Sequence, residues 1–132
     1  MPQENVELVR RAYEAWNEGG SELAKEFWAE DLEFHDPPNL PDPRVVRGRD
    51  AVAAYLTDQV NVVGDMKVTL VDVRTRGEAV VLRMELTLHG AESGVDVPGE
   101  ISQVVEVADG RLQRIRLFMT WEEALKAAGL RE

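Results

Sequence analysis

The sequence predicts a single α+β domain in which helices come first and a meander of antiparallel strands follows. The chain has 132 residues, a length typical of one domain. Before Gly64, apolar side chains recur at steps of three and four residues, which indicates helices with one buried face. After Gly64, apolar and polar residues alternate, as in strands with one covered face. No repeat or linker interrupts this order, so we expect residues 1–132 to fold as one domain with helices packed on one face of a sheet.

Three helices are predicted in the first half of the chain. The first covers residues 4–18 and ends at Gly19, because glycine readily adopts the left-handed conformation that closes a helix. The second is a short helix over residues 22–29, with Ser21 as its N-cap. The third covers roughly residues 49–60. The apolar side chains that these helices are expected to bury are Val6, Val9, Tyr13, Trp16, Leu23, Phe27, Trp28, Val52, Tyr55, Leu56 and Val60.

A short strand over residues 32–36 is expected between the second and third helices. It runs into residues 37–46, which hold four prolines. Proline cannot donate a hydrogen bond to a strand ladder and disfavours a helix before it, so this segment is predicted to be an irregular loop.

Four long antiparallel strands are predicted after the third helix, with hairpin turns near residues 76–78 and 108–110. In the first of these strands, strict alternation puts Val73 on the face opposite to Leu70. The last segment is a short helix that ends at Gly129.

The composition disfavours several classes of function. The formal charge is −10, from 25 acidic and 15 basic residues, which argues against binding to nucleic acid or to an anionic membrane surface. The chain has no cysteine, so thiol catalysis and cysteine-ligated metals are excluded. Its histidines, His35 and His89, do not stand at metal-ligand spacing, and no glycine-rich phosphate loop is present. We therefore expect a soluble cytoplasmic protein that uses no metal or other cofactor.

The segment Leu-Glu-Phe-His-Asp-Pro-Pro, residues 32–38, holds the candidate chemistry. An aspartate at a strand end under aromatic side chains loses solvent and becomes a better base near neutral pH. Side chains alternate along a strand, so His35 points away from Asp36, while Phe34 shares the face of Asp36. This favours Asp36 as the pocket residue, unless a β-bulge exchanges the two roles. Asp36 is equally suited to a structural role, in which its carboxylate closes the proline turn.

Two ion pairs are expected elsewhere. Arg47, just before the third helix, is predicted to pair with a buried carboxylate or with an anionic ligand. Glu106 and Arg116 flank the second hairpin turn, where they are candidates for a cross-strand pair.

Five phrases along the chain carry a resemblance to a known family. They are "VRRAYEAWNEG", "FWAEDLEFHDPP", "RGRDAVAAYL", "VADGRLQRIRLF" and "WEEALKAAGL". Together with the element order, they resemble the nuclear transport factor 2-like superfamily, in its SnoaL-like and ketosteroid-isomerase-like branch. The resemblance implies a curved antiparallel sheet wrapped against three helices into a cone, whose interior is the small-molecule pocket. It also implies a homodimer formed through the outer face of the sheet.

The resemblance assigns roles to particular positions. It places the general base of the isomerases at Asp36, and the tyrosine of their first helix at Ala12, one position before Tyr13. Their second acid falls near Ser102, whose hydroxyl can donate a hydrogen bond. His35 or Ser102 would then orient the ligand or stabilise developing charge. The residues expected to line the pocket are Tyr13, Trp16, Phe34, Tyr55, Met84, Ser102 and Phe118.

Three hypotheses about function follow. In the first, the cone binds a small, largely apolar molecule, and Asp36 acts as base in proton abstraction, isomerisation or cyclisation. In the second, the cone binds such a molecule without catalysis. In the third, its own side chains fill the cone and the protein is a dimeric interaction module. An open cavity with Asp36 inside favours the first hypothesis, and a packed cone favours the third.

Overall fold

The computed structural model describes residues 2–89 and 96–131. The predicted fold class is confirmed: the chain is an α+β domain with a curved six-stranded sheet that is not closed into a barrel. The helices are α1 (Pro2–Gly19), α2 (Ser21–Ala24), α3 (Arg49–Val63) and α4 (Trp121–Ala127). The strands are β1 (Trp28–His35), β2 (Val45–Arg47), β3 (Asp65–Arg76), β4 (Ala79–His89), β5 (Asp96–Ala108) and β6 (Arg111–Phe118).

The sheet has the strand order β2-β1-β6-β5-β4-β3. Strands β3 to β6 form the predicted antiparallel meander. The expectation of a purely antiparallel sheet is wrong at one place, because β1 pairs with β6 in parallel. The two strands are far apart in sequence, so no tight turn constrains their relative direction. This pairing brings the end of β1 beside the end of β6.

The main core lies between α1, α3 and the concave face of the sheet. Apolar side chains from both layers meet there, among them Val9 and Val52 from the helices and Leu82 and Val105 from the strands. A smaller cluster lies on the convex face, where α4 covers part of β4, β5 and β6. The helices thus close one side of the cone while the sheet curves around the other.

The second predicted helix is shorter than expected. Residues 21–24 are α-helical, a single 3-10 turn covers Lys25–Phe27, and Trp28 already begins β1. Ser21 lies inside α2 rather than capping it, and its hydroxyl donates to the carbonyl of Ala53 at 3.1 Å. Leu23, expected to be buried, is exposed. A helix of a single turn is too short to build the buried face that the periodicity predicted.

A β-bulge in β3 overturns the predicted face of Val73. The register with β4 shifts between Leu70 and Asp72, which leaves Val71 as an extra, exposed residue. One inserted residue reverses the alternation. Val73 consequently joins the concave core together with Leu70.

The cross-strand partner of Glu106 is not the predicted Arg116. In the β5–β6 register Glu106 lies opposite Arg114, and their side chains pair at 3.1 Å. Arg116 lies opposite Val104 and places its guanidinium 5.9 Å from the centre of the Phe118 ring.

Within the described parts of the chain, no helix is both long enough and apolar enough to cross a membrane.

Candidate active site in the cone interior

The cone encloses a cavity of about 340 Å³ between the helices and the concave sheet face. The part of its wall that residues 2–89 and 96–131 form is predominantly apolar and contains no Lys, Arg or His side chain. Leu40 and Met119, both well exposed, lie at its rim. The residues that line it are Ala12, Tyr13, Trp16, Ala24, Trp28, Phe34, Asp36, Pro37, Leu40, Tyr55, Leu56, Gln59, Val60, Met66, Val68, Met84, Leu86, Ile101, Gln103, Leu112, Ile115, Leu117 and Met119. An interior of this kind suits a small, largely apolar ligand.

Among the described residues, Asp36 is the one Asp or Glu that lines this wall. Its Oδ2 accepts a hydrogen bond from the Tyr55 hydroxyl at 2.8 Å and another from the backbone N–H of Arg44 at 3.1 Å. The Asp36 N–H in turn donates to the Arg44 carbonyl at 2.9 Å. The proline loop therefore closes on Asp36, as the structural interpretation of this residue predicts.

The other carboxylate oxygen, Oδ1, has no hydrogen-bond donor among residues 2–89 and 96–131. One oxygen of Asp36 is thus held by the protein while the second stays available to a ligand. The structural and the chemical interpretations of Asp36 are compatible, since each uses a different oxygen.

Tyr55 reaches Asp36 from α3, 19 residues further along the chain. Its ring packs against Phe34, with the ring centres 6.1 Å apart. Burial raises the pKa of Tyr55 above its usual value, and the hydrogen bond to Asp36 and the charge of that carboxylate raise it further. Tyr55 therefore remains a neutral donor to the carboxylate at physiological pH.

A second polar pair lies between α1 and β5. The Tyr13 hydroxyl donates to Oε1 of Gln103, and both side chains line the cavity. Burial raises the pKa of Tyr13 far above its usual value, and the hydrogen bond to Gln103 offsets this only in part. Tyr13 consequently stays protonated and holds the Gln103 amide in one orientation.

His35 lies on the opposite face of β1 from the cavity. Its Nε2 is 3.0 Å from Oε1 of Glu33, and Glu33 also faces Arg114 at 3.6 Å and Arg47 at 3.7 Å. The hydrogen bond from His35 is the main reason that the pKa of Glu33 lies below its usual value, and the two arginines lower it further. Arg47 therefore pairs with a carboxylate on the convex face, but this carboxylate is partly exposed and not buried as predicted.

The structure brings together five of the seven side chains expected to line the pocket, and these are Tyr13, Trp16, Phe34, Tyr55 and Met84. The other two, Ser102 and Phe118, lie opposite one another on the convex face, so their placement in the pocket is wrong. Alternation along β5 puts Ile101 and Gln103 inside instead.

Gln103 and Gln59 are the amide residues of the wall that the sequence interpretation missed; Gln103 is buried, whereas Gln59 is exposed. The alternation of Ile101, Gln103, Val105 and Val107 around Ser102 and Val104 was the available signal. This alternation could not show which set faces the cavity, because both sets contain apolar residues and both faces of β5 are covered.

The described residues contain no group of three or more His, Asp or Glu side chains arranged to hold a metal ion.

The profile of the SnoaL-like domain family matches residues 9–115, and the chain belongs to this family. No curated protein matches the sequence.

Solved structures share the fold at low sequence identity. A protein from Jannaschia sp. CCS1 described as a SnoaL-like polyketide cyclase is 20% identical, with a TM-score of 0.76 over 99% of this chain and 95% of its own. TerC, co-crystallised with polyporic acid, is 15% identical, with a TM-score of 0.77 over 96% of this chain and 98% of its own. A protein with a ketosteroid isomerase-like fold from Catenulispora acidiphila DSM 44928, in complex with trimethylamine, is 14% identical, with a TM-score of 0.73 over 95% of this chain and 94% of its own. At these identities the likeness concerns the fold.

Proposed function

We propose that this protein binds a small, largely apolar molecule in the cone and that Asp36 acts on it as a general base. The observation that carries the proposal is the division of the Asp36 carboxylate. Asp36 lines an apolar cavity, its Oδ2 is held by Tyr55 and by the Arg44 N–H, and its Oδ1 accepts no hydrogen bond from the described residues. A base that is fixed in orientation beside an apolar ligand is suited to proton abstraction.

The reaction class is proton transfer at a carbon acid. Oδ1 takes a proton from a carbon next to a carbonyl group, so that the C–H bond breaks and an O–H bond forms. The electron pair moves onto the carbonyl oxygen as an enolate. The proton then returns to the same carbon or to another one, which yields exchange or isomerisation. In cyclisation, the enolate carbon forms a C–C bond to a second carbonyl carbon, the π electron pair of that carbonyl moves onto its oxygen, and this oxygen takes the proton from Asp36. No step needs an oxidant, a reductant or a metal ion.

The family supports this class of chemistry. A solved relative in fold is described as a polyketide cyclase, and another has a ketosteroid isomerase-like fold. Cyclisation and isomerisation both begin with the removal of a proton next to a carbonyl group.

The test uses 2-tetralone, a compact bicyclic ketone with exchangeable α-protons. The rate at which the protein accelerates hydrogen–deuterium exchange of these protons in D₂O is measured by NMR. We expect acceleration over buffer, and a loss of at least about 100-fold in Asp36→Asn, in line with the usual contribution of a positioned general base. Asp42→Asn is the matched control, because Asp42 is an exposed carboxylate of the same loop and does not line the cavity. Equal acceleration by wild type and Asp36→Asn contradicts the proposal.

Ligand binding without catalysis is the second candidate function. The predominantly apolar wall of the cavity favours it, since such a surface binds apolar molecules whether or not a base is present. Binding of 2-tetralone without accelerated exchange would support this function in place of the first. The interaction-module hypothesis has less support, because the cone interior is not filled by its own side chains.

A homodimer through the outer sheet face and a cytoplasmic location stay predictions. The convex face presents intramolecular ion pairs, including Arg83 with Glu100 at 3.3 Å and Arg114 with Glu106 at 3.1 Å.

A further inference from the structure

Gln103 presents an unpaired hydrogen-bond donor to the cavity. The side chain is only 5% exposed, and its Oε1 accepts from Tyr13. Its amide nitrogen donates no hydrogen bond to any of the described residues. The nitrogen is not one of the fully buried side-chain atoms without a partner, so a solvent-sized group can reach it, and a ligand acceptor can take the place of water there.

The hydrogen bond from Tyr13 decides which end of the amide a ligand meets. A protonated tyrosine donates, so Oε1 of Gln103 turns toward α1 and the NH₂ group remains for the cavity. Because burial keeps Tyr13 protonated, this orientation persists across the physiological pH range. Gln103 therefore offers its two N–H donors to a ligand, while its oxygen is directed toward Tyr13.

The charge of the cavity wall determines which kind of ligand acceptor can bind the Gln103 amide. Asp36 places a carboxylate in the wall, and no Lys, Arg or His side chain of the described residues lines the cavity. An anionic ligand group would be desolvated beside a like charge, which is unfavourable. A neutral acceptor, such as a ketone, an ester or an ether oxygen, is the group that fits the Gln103 amide.

The sheet register relates this donor to Asp36. His35 lies beside Arg116 in the parallel β1–β6 pair, so Asp36 falls next to Leu117, and Leu117 lies opposite Gln103. Two strand spacings place the backbones of Asp36 and Gln103 about 10 Å apart. Both residues line the same cavity.

We propose that the Gln103 amide, oriented by Tyr13, is the site that selects ligands with a neutral hydrogen-bond acceptor inside an otherwise apolar molecule. This inference rests on the part of the proposed function that assigns a small ligand to the cavity. It does not depend on catalysis by Asp36.

The test compares 2-tetralone with tetralin, the hydrocarbon of the same bicyclic skeleton. Dissociation constants for both are measured by NMR titration with wild type, Gln103→Leu and Tyr13→Phe. We expect Gln103→Leu to weaken binding of 2-tetralone by roughly 3- to 10-fold, the value of one neutral hydrogen bond, and to leave tetralin unchanged or more tightly bound. Tyr13→Phe frees the amide to rotate, so it should weaken 2-tetralone by a smaller factor and leave tetralin unchanged.

The matched control is Gln113→Leu. Gln113 lies on the neighbouring strand β6, outside the cavity wall, and donates to Asp31 at 3.0 Å. This variant should bind both probes as wild type does.

The outcomes separate the two proposals. If Gln103→Leu changes both probes equally or neither of them, the acceptor site is refuted while the binding function stands. If wild type binds neither probe, the binding function and this inference fail together. If the selective loss occurs but Asp36→Asn exchanges protons as fast as wild type, the acceptor site stands and only the catalytic proposal fails. Should Gln103→Leu not fold, the selective effect of Tyr13→Phe decides the question.

Discussion

The two oxygens of the Asp36 carboxylate have different surroundings, and this is the residue-scale feature from which the proposed chemistry follows. Tyr55 and the Arg44 N–H both bind Oδ2, so rotation of the carboxylate is restricted. A short polar side chain at a strand end would otherwise sample several rotamers. Tyr55 is therefore a positioning residue, which acts on the ligand through Asp36.

We expect Tyr55→Phe to slow the proton exchange of 2-tetralone about tenfold, because a misplaced base loses part of its orientation advantage. The ring is kept, so the dissociation constant of 2-tetralone should stay within about threefold of wild type. Saturation kinetics followed by NMR separate the two quantities, and circular dichroism checks the fold. A variant that exchanges protons at the wild-type rate would show that the Arg44 N–H alone suffices.

At the scale of the element, alternation along β1 divides its residues between two environments. Phe34 and Asp36 meet the cavity, whereas Glu33 and His35 join an ion cluster with Arg114 on the convex face. The pairings of β1 with β2 and β6 are regular from Glu33 to His35, so no bulge reverses the two faces there. Neighbours in sequence thus have unrelated roles.

His35→Gln should leave proton exchange within about twofold of wild type, since His35 does not reach the cavity. A large loss of exchange would return His35 to the catalytic role first considered for it.

The same variant should reduce stability in a pH-dependent way. A carboxylate with a lowered folded-state pKa stabilises the protein above its unfolded pKa, near 4.5 for Glu33, and this contribution is lost as the pH falls through the folded-state value. The difference in free energy of unfolding between wild type and His35→Gln should therefore shrink from pH 7 to pH 3.5. Urea titrations at both pH values measure it.

At the scale of the whole molecule, the interior is shared between a packed core and an open cavity. Both lie on the concave face, where side chains such as Val68 and Met84 contribute to both. A cavity that a protein retains costs stability, because its lining atoms lack contacts. The space is therefore expected to serve a ligand.

Ile101→Phe should fill part of this space from β5. We expect the dissociation constant of 2-tetralone to rise by at least about tenfold, through steric exclusion, while the melting temperature stays equal or increases. Val71→Phe is the control, since it enlarges an exposed side chain at the β3 bulge. If Ile101→Phe binds 2-tetralone as wild type does, the ligand does not occupy the cone.

Local periodicity was enough to predict the order of the elements except for β2, which begins inside the segment expected to be irregular, because the spacing of apolar residues reports which face of each helix or strand is covered. It also favoured Asp36 over His35, since alternation within one strand needs no knowledge of its neighbours. Alternation could not show whether Ser102 or Gln103 faces the cavity, because both faces of β5 are covered. The bulge at Val71 was equally hidden, since it exists only through the pairing of β3 with β4.

The tertiary structure alone decided how distant segments meet. Tyr55 reaches Asp36 from α3, and Tyr13 reaches Gln103 across 90 residues of chain. Whether the cone stays open is likewise set by how helices and sheet pack together. Spacing along a chain reports which residues share a face, whereas contacts between faces depend on the curvature and register of the assembled sheet.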